Sequence, residues 1–254
     1  MAEPRIAVLV SLGRHPVSGA VRWSRNDGAA LALARRLGGA SVAVLHAGDP
    51  DEPALRGYLA LGAPCVQTID VPRDRDVLDP LAALLSDYAL VLCGSRGESG
   101  MSSGLLPYLL AQRLGRPLLP NVLSAQLAGG AVRARQFLPK GRRRDMEADL
   151  PALLTVHPAA PFEPRYAYAR ERAGRVLPVA APAQAAPLAD AWRIEPADAR
   201  PRKLAAPERR SGRDRLLAAT AMASRGGEVI QHGSPEDKAR AVLAYLRTHN
   251  LVDY

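Results

Sequence analysis

The chain has 254 residues, 48% hydrophobic and only 4% aromatic, with Lys and Arg totalling 34 against 25 for Asp and Glu, a formal charge of +9. The apolar content suffices for one large core and excludes wholesale disorder, and the scarcity of aromatic rings removes the usual stacking platform for nucleic acid. The positive excess suits an anionic ligand or an acidic partner surface, and its dominance by Arg is equally the mark of a GC-rich genome.

The first half alternates two patterns. Ile6–Val10 is a short apolar run, read as a buried strand, and Asp27–Leu37 carries Ala and Leu at helical spacing, with Asn26 or Asp27 as its cap. A second strand over Ser41–His46, a helix over Glu52–Leu61, a strand over Cys65–Val71, a helix over Val77–Ser86, a strand over Ala89–Cys93 and a helix over Ser102–Leu114 follow. Strands alternating with helices predict an α/β fold, a parallel sheet covered on both faces. Beyond it, Val122–Leu127 and Val132–Leu138 flank Gly129-Gly130, a hairpin signal, and Ala152–Val156 reads as a further short strand. From about residue 160 the periodicity fades. Val179–Leu188 is rich in Ala and Pro and reads as an extended arm, Asp214–Ala223 as a weak helix, and Ser234-Pro235-Glu236-Asp237 as the start of a last helix. The division expected is a nucleotide-binding domain over residues 1–175 and an arm with a terminal helix over 176–254.

Cys65 and Cys93 sit in hydrophobic runs without metal-type spacing and are expected as buried thiols in a reducing compartment. Met1–Arg5 leads straight into the first strand, so no signal peptide is expected, and no apolar stretch approaches the ~20 residues of a membrane helix. The expected location is the cytoplasm. The histidines, His15, His46, His157, His232 and His249, are scattered, and no Ser-His-Asp or metal motif can be assembled from spacing.

The candidate binding element is the glycine- and serine-rich stretch Gly94–Gly104, GSRGESGMSSG, between a strand and a helix. Such a turn offers backbone amides and a helix dipole to a phosphate, with Arg96 as a pairing cation and Ser102 and Ser103 as hydroxyl donors. The competing reading is a plain connector. No Walker pattern is present, so ATP hydrolysis is not expected. The basic run Arg133, Arg135, Lys140, Arg142, Arg143 and Arg144 falls on the hairpin, as a solvated face or a protein contact.

Four segments in order resemble the electron-transfer flavoprotein beta family: the opening strand-helix-strand with Asn26 ahead of the helix, the strand Ala89–Cys93 with its Gly94–Gly104 loop, the strand after DLP at Asp149–Pro151, and Glu163-Pro164-Arg165-Tyr166-Ala167. The resemblance implies an electron carrier rather than an enzyme, paired with an alpha subunit that holds most of an FAD. It implies a structural AMP held by Leu9, Asn26, Asp27, Gly28, Ala29, Ala47, Gly94, Ser95, Arg96, Gly97, Gly100, Met101, Ser102 and Ser103. Asn26 either bonds the nucleotide or caps the helix. The common family loop is richer in Asp and carries Asn-Gln-Thr where this chain has Met101, Ser102 and Ser103. Arg14, His15 and Pro16 fall where the family approaches the flavin, His15 being either a tuning group or a surface side chain. Arg165, Tyr166, Tyr168, Ala169 and Arg170 fall on the family's partner-recognition loop, with Ala169 where relatives carry an anchoring Leu. The further partners implied are flavin-dependent dehydrogenases and a quinone oxidoreductase. The run Ser11–Gly19 resembles subunits serving dehydrogenases of N-methylated amines. The alternative is an adenine-nucleotide-binding regulatory module without a redox role.

Overall fold

The computed structural model describes residues 4–39, 41–72, 75–98, 102–180, 211–213, 216, 229–249 and 251–252. The first strand, β1 (Ile6–Leu9), is buried throughout, and its residues divide between two cores. Ile6, Val8 and Val10 point into one, Ala7 and Leu9 into the other. A strand apolar on both faces belongs inside a doubly covered sheet. Two short strands, β2 (Leu12–Arg14) and β3 (Val21–Trp23), form a separate antiparallel hairpin. Helix α1 (Arg25–Gly38) returns across the first core. Its cap is Ser24, whose hydroxyl accepts from the Asp27 N–H, so Asn26 and Asp27 lie inside the first turn rather than at the cap.

The alternation continues through β4 (Val42–Ala47), α2 (Arg56–Ala60), β5 (Cys65–Ile69), α3 (Leu78–Leu85), β6 (Leu90–Gly94) and α4 (Leu106–Leu114). The helix expected over Glu52–Leu61 begins instead as a tight turn, Pro53–Leu55, with Glu52 accepting from the Ala54 N–H. The helix expected from Ser102 starts at Leu106. Ser102 (φ 47°) and Gly104 (φ 74°) are left-handed, a conformation that cannot open an α-helix.

The strands β7 (Leu118–Ala128), β8 (Ala131–Phe137) and β9 (Arg143–Asp149) form an antiparallel meander, and β10 (Ala152–Val156) inserts beside β6. After α5 (Tyr168–Ala173), β11 (Arg175–Pro178) pairs in parallel with β5. The result is a nine-stranded sheet in the order β11-β5-β4-β1-β6-β10-β7-β8-β9. It is parallel through β7 and antiparallel beyond. Residues 175–178 therefore continue the sheet instead of opening the arm, and the first compact unit runs to Ala191.

The second unit spans Trp192–Tyr254. Its described helix α6 (Pro235–Thr248) carries a full capping box: Ser234 accepts from the Asp237 N–H and the Asp237 carboxylate accepts from the Ser234 N–H. The helix expected at Asp214–Ala223 lies outside the described residues except for Leu216, and so does most of the Ala- and Pro-rich stretch. Among the described residues, no helix is long and apolar enough to cross a membrane.

Candidate functional site

After β1 the chain builds β4 and β5 on one side, then crosses to place β6 on the other. The carboxyl ends of β1 and β6 thus border the point where strand order reverses, the place where open α/β sheets form their ligand crevice. Leu9, Ala47 and Gly94 end the neighbouring strands β1, β4 and β6 there.

The first turn of α1 is docked into those strand ends. Asp27, 4% exposed, accepts the Gly94 N–H at 2.9 Å through one carboxylate oxygen. Its other oxygen accepts the Ser11 N–H at 2.8 Å and the Ser11 hydroxyl at 2.6 Å. Asn26 donates its amide to the Val156 carbonyl at 3.0 Å and accepts from the Ser95 N–H at 2.8 Å and the Ser95 hydroxyl at 3.0 Å. Glycine at 94 is demanded by this approach, since a Cβ there would lie 2.4 Å from an Asp27 oxygen and 2.8 Å from the Asn26 amide. Burial pushes the Asp27 carboxyl up to about 6, against the hydrogen bonds from Ser11 and Gly94 that favour its charged form. Tyr58 closes the network from below. Its buried hydroxyl donates to the Ser11 carbonyl at 2.6 Å and accepts from the Ser24 N–H at 3.0 Å. Burial also raises the Tyr58 pKa well above the usual phenol value.

This arrangement sorts the nucleotide residues expected from the sequence. Gly94, Ser95, Asn26 and Asp27 do come together, but the amides of Gly94 and Ser95 already serve Asp27 and Asn26. Gly28 faces away: a Cβ there would meet the rings of Phe162 and Trp23 at 3.0 Å. Ala29 is core. Arg96 is exposed and Gly97 half-buried beyond the Gly94–Ser95 anchor, and Gly104 packs so tightly that a Cβ would lie 3.2 Å from the Ser95 carbonyl oxygen. Ser103 accepts from the Leu105 N–H at 3.2 Å, while the first turn of α4 receives no side-chain cap. Gly100 and Met101 lie outside the described residues.

The hairpin β2–β3 rises beside the crevice. Arg14, His15 and Pro16 are exposed at its tip, with Val17 at 89% exposure. His15 shapes the turn: its Nδ1 accepts from the N–H groups of Val17 at 3.3 Å and Ser18 at 3.2 Å, which puts the neutral ring's proton on Nε2. His46 is the buried counterpart, its Nδ1 donating to the Val10 carbonyl at 2.8 Å and its pKa lowered by burial.

The segment expected as a recognition loop is half helical. Arg56 donates to the carbonyls of Glu171, Arg172 and Gly174, pinning the end of α5. Tyr166 donates to Glu171 at 2.7 Å. Arg165, Tyr166, Tyr168, Ala169 and Arg170 are all exposed. On the hairpin, Arg133 pairs with Glu147 and Arg135 with Asp145, Arg144 donates to Gln136, and Arg143 lies over Phe137, so much of the basic run is matched within its own sheet.

The family profile described as "Electron transfer flavoprotein domain" matches residues 21–190. The "Electron transfer flavoprotein subunit beta" of Chromohalobacter salexigens is 40% identical over 254 residues, covering 97% of this chain and 95% of that protein. The chain belongs to the electron transfer flavoprotein family. As a beta-type electron transfer flavoprotein chain it is an electron carrier and not an enzyme. In this electron transfer flavoprotein fold, sequence reading singled out the runs that hold Ser11 and Glu98 but missed their contacts, and it passed over Tyr58 and Arg22 altogether. Their contacts span 16 to 76 residues of chain and leave no local pattern.

Proposed function

We propose that the chain pairs with an alpha subunit to hold one FAD between them, and that the crevice at the ends of β1 and β6 holds AMP. The observation that carries this reading is the placement of α1's first turn and the Gly94–Gly104 loop together at the strand-order reversal, where a nucleotide is expected. The anchors Asn26–Ser95 and Asp27–Gly94 set the loop's base, so a phosphate meets the turn Arg96–Gly97 and the approach to α4, with Arg96 as its cation. Leu9 and Ala47 contribute strand-end backbone at the same crevice. AMP reacts with nothing here. It fills the crevice.

The hairpin tip, Arg14, His15 and Pro16, covers one side of the flavin. When bound, the flavin supplies the redox chemistry, and the chain's own part is to shield the ring and set its surroundings. The exposed Arg165, Tyr166, Tyr168, Ala169 and Arg170 form the docking surface for flavin-dependent dehydrogenases, with the amphipathic Tyr168 in the anchoring role. The carrier works in the cytoplasm, accepts electrons from dehydrogenases of N-methylated amines, and delivers them to a quinone oxidoreductase.

Co-expression with an alpha subunit, purification, and chromatography of the heat-released nucleotides tests this. One FAD and one AMP per pair, with bleaching by an N-methyl-amine dehydrogenase and its substrate, is the expected result. A colourless chain with no flavin in any pairing overturns the carrier arrangement. Flavin without AMP overturns the nucleotide site alone.

A further inference from the structure

The nucleotide loop and the hairpin expected at the flavin touch at one rung. In the β2–β3 hairpin, Gly13 stands directly opposite Arg22. Directly opposed residues in an antiparallel pair share a face. Glu98, from the loop, lies across that rung: its carboxylate accepts from Arg22 at 3.1 Å, and its side chain fills the space that a Cβ on Gly13 would need, 2.3 Å from the carboxylate oxygen and 2.7 Å from the Glu98 Cβ. Gly13 is buried while the next residues outward, Arg14 to Ala20, are all exposed. The hairpin's base is separately fixed by Trp23 against Gly57 and by Ser11 on Asp27. Among the described residues, the lateral contact nearest the tip is therefore the one made by Glu98.

We propose that Glu98 and Arg22 are positioning residues that couple nucleotide binding at the Gly94–Gly104 loop to the placement of the Leu12–Trp23 hairpin. This rests on the reading above, in which the loop holds AMP and the hairpin tip faces the flavin. A nucleotide that engages the loop beside Glu98 biases where the Gly13–Arg22 rung sits, and hence where His15 stands against the ring. Coupling is reciprocal, so a change confined to the hairpin alters nucleotide affinity by the same factor. The pair is partly exposed, with side chains 43% and 29% accessible, which limits that factor to about three- to fivefold.

The test uses the flavin-loaded heterodimer, stripped of nucleotide and titrated with AMP by calorimetry, with the flavin's visible circular dichroism followed in parallel. Arg22→Met and Glu98→Gln are each expected to bind AMP about three- to fivefold more weakly, the double variant no more weakly than either single one, and Arg22→Lys like the wild type. AMP is expected to change the flavin spectrum in the wild type and in Arg22→Lys, and not in Arg22→Met. Equal AMP affinity in the wild type and Arg22→Met overturns the coupling and leaves the nucleotide site standing. Additive losses in the double variant also overturn it, because they mean two independent contacts with the ligand. No AMP binding by the wild type removes the nucleotide reading, and the coupling with it.

Discussion

Asp27 accepts the Gly94 N–H at 2.9 Å across 67 residues of sequence, and that bond, beside the one from Asn26 to Ser95, fastens the first helix to the end of the fourth parallel-set strand in chain order. The carboxylate is buried, yet both of its oxygens are occupied by donors. Asp27→Asn keeps the shape and removes the charge, but one face of the amide must then point an N–H at another N–H. The expected outcome is a loss of about 1–3 kcal/mol, read by denaturant unfolding of the heterodimer, despite the removal of a buried charge.

The same residue fixes a pH dependence. Its folded pKa of about 6 lies above the unfolded value of 3.8, so the native state binds the extra proton between those limits. Stability contributed at this site is thus present in acid and lost as pH rises from about 4 to about 6, by roughly 3 kcal/mol in total. The wild type should lose ground relative to Asp27→Asn over that window and run parallel to it above pH 7. Parallel curves across the whole range would contradict the assignment.

Tyr58→Phe preserves the ring in the core and deletes one hydroxyl. The Ser11 carbonyl and the Ser24 N–H are left without that partner in a buried place. Unfolding free energy should fall by about 3 kcal/mol, far more than a surface Tyr→Phe change, with little alteration of the circular dichroism spectrum.

Gly94→Ala forces a methyl group into Asp27 and Asn26. On the nucleotide site proposed above, pushing α1's first turn off the strand ends should reduce the AMP retained by the purified heterodimer severalfold. Gly115→Ala, where a Cβ meets nothing within 4 Å, is the matched control and should retain AMP despite its own left-handed strain.

Two arginine deletions should differ sharply. Arg116 donates to the carbonyls of Leu85, Ser86 and Tyr88, closing the end of α3 and the turn after it. Arg116→Ala should cost about 1–3 kcal/mol because those carbonyls lose their donor. Arg135 pairs with Asp145 on an exposed sheet surface, with side chains 57% and 72% accessible. Arg135→Ala should leave the melting temperature unmoved.

The alternating strands and helices were legible because each core position repeats at the period of its element. Ile6, Val8 and Val10 against Ala7 and Leu9 is such a record, and so is the Ser234 capping box. Helix starts were harder. Asn26 and Asp27 look like caps as good as Ser24, and only tertiary partners on Ser95 and Gly94 explain why they stand inside the first turn. The strand at Arg175–Pro178 was hidden by its own polar and proline content, since an edge strand needs no continuous apolar run. The Gly94–Gly104 loop could be found from its composition. What could not be found was that Glu98 would lie on Gly13, because nothing near either residue encodes a contact between them.

A nine-stranded open sheet has two rims, and each is a template onto which a foreign strand can be laid. Here one rim is β9, whose sequence RRDMEAD is charged at five of its seven positions, and the other is β11, which ends in Pro178. Neither invites backbone pairing. Among the described residues, both rims of the sheet thus carry the charge and proline that discourage a foreign strand from adding to it, which guards the chain against polymerising through its own edges.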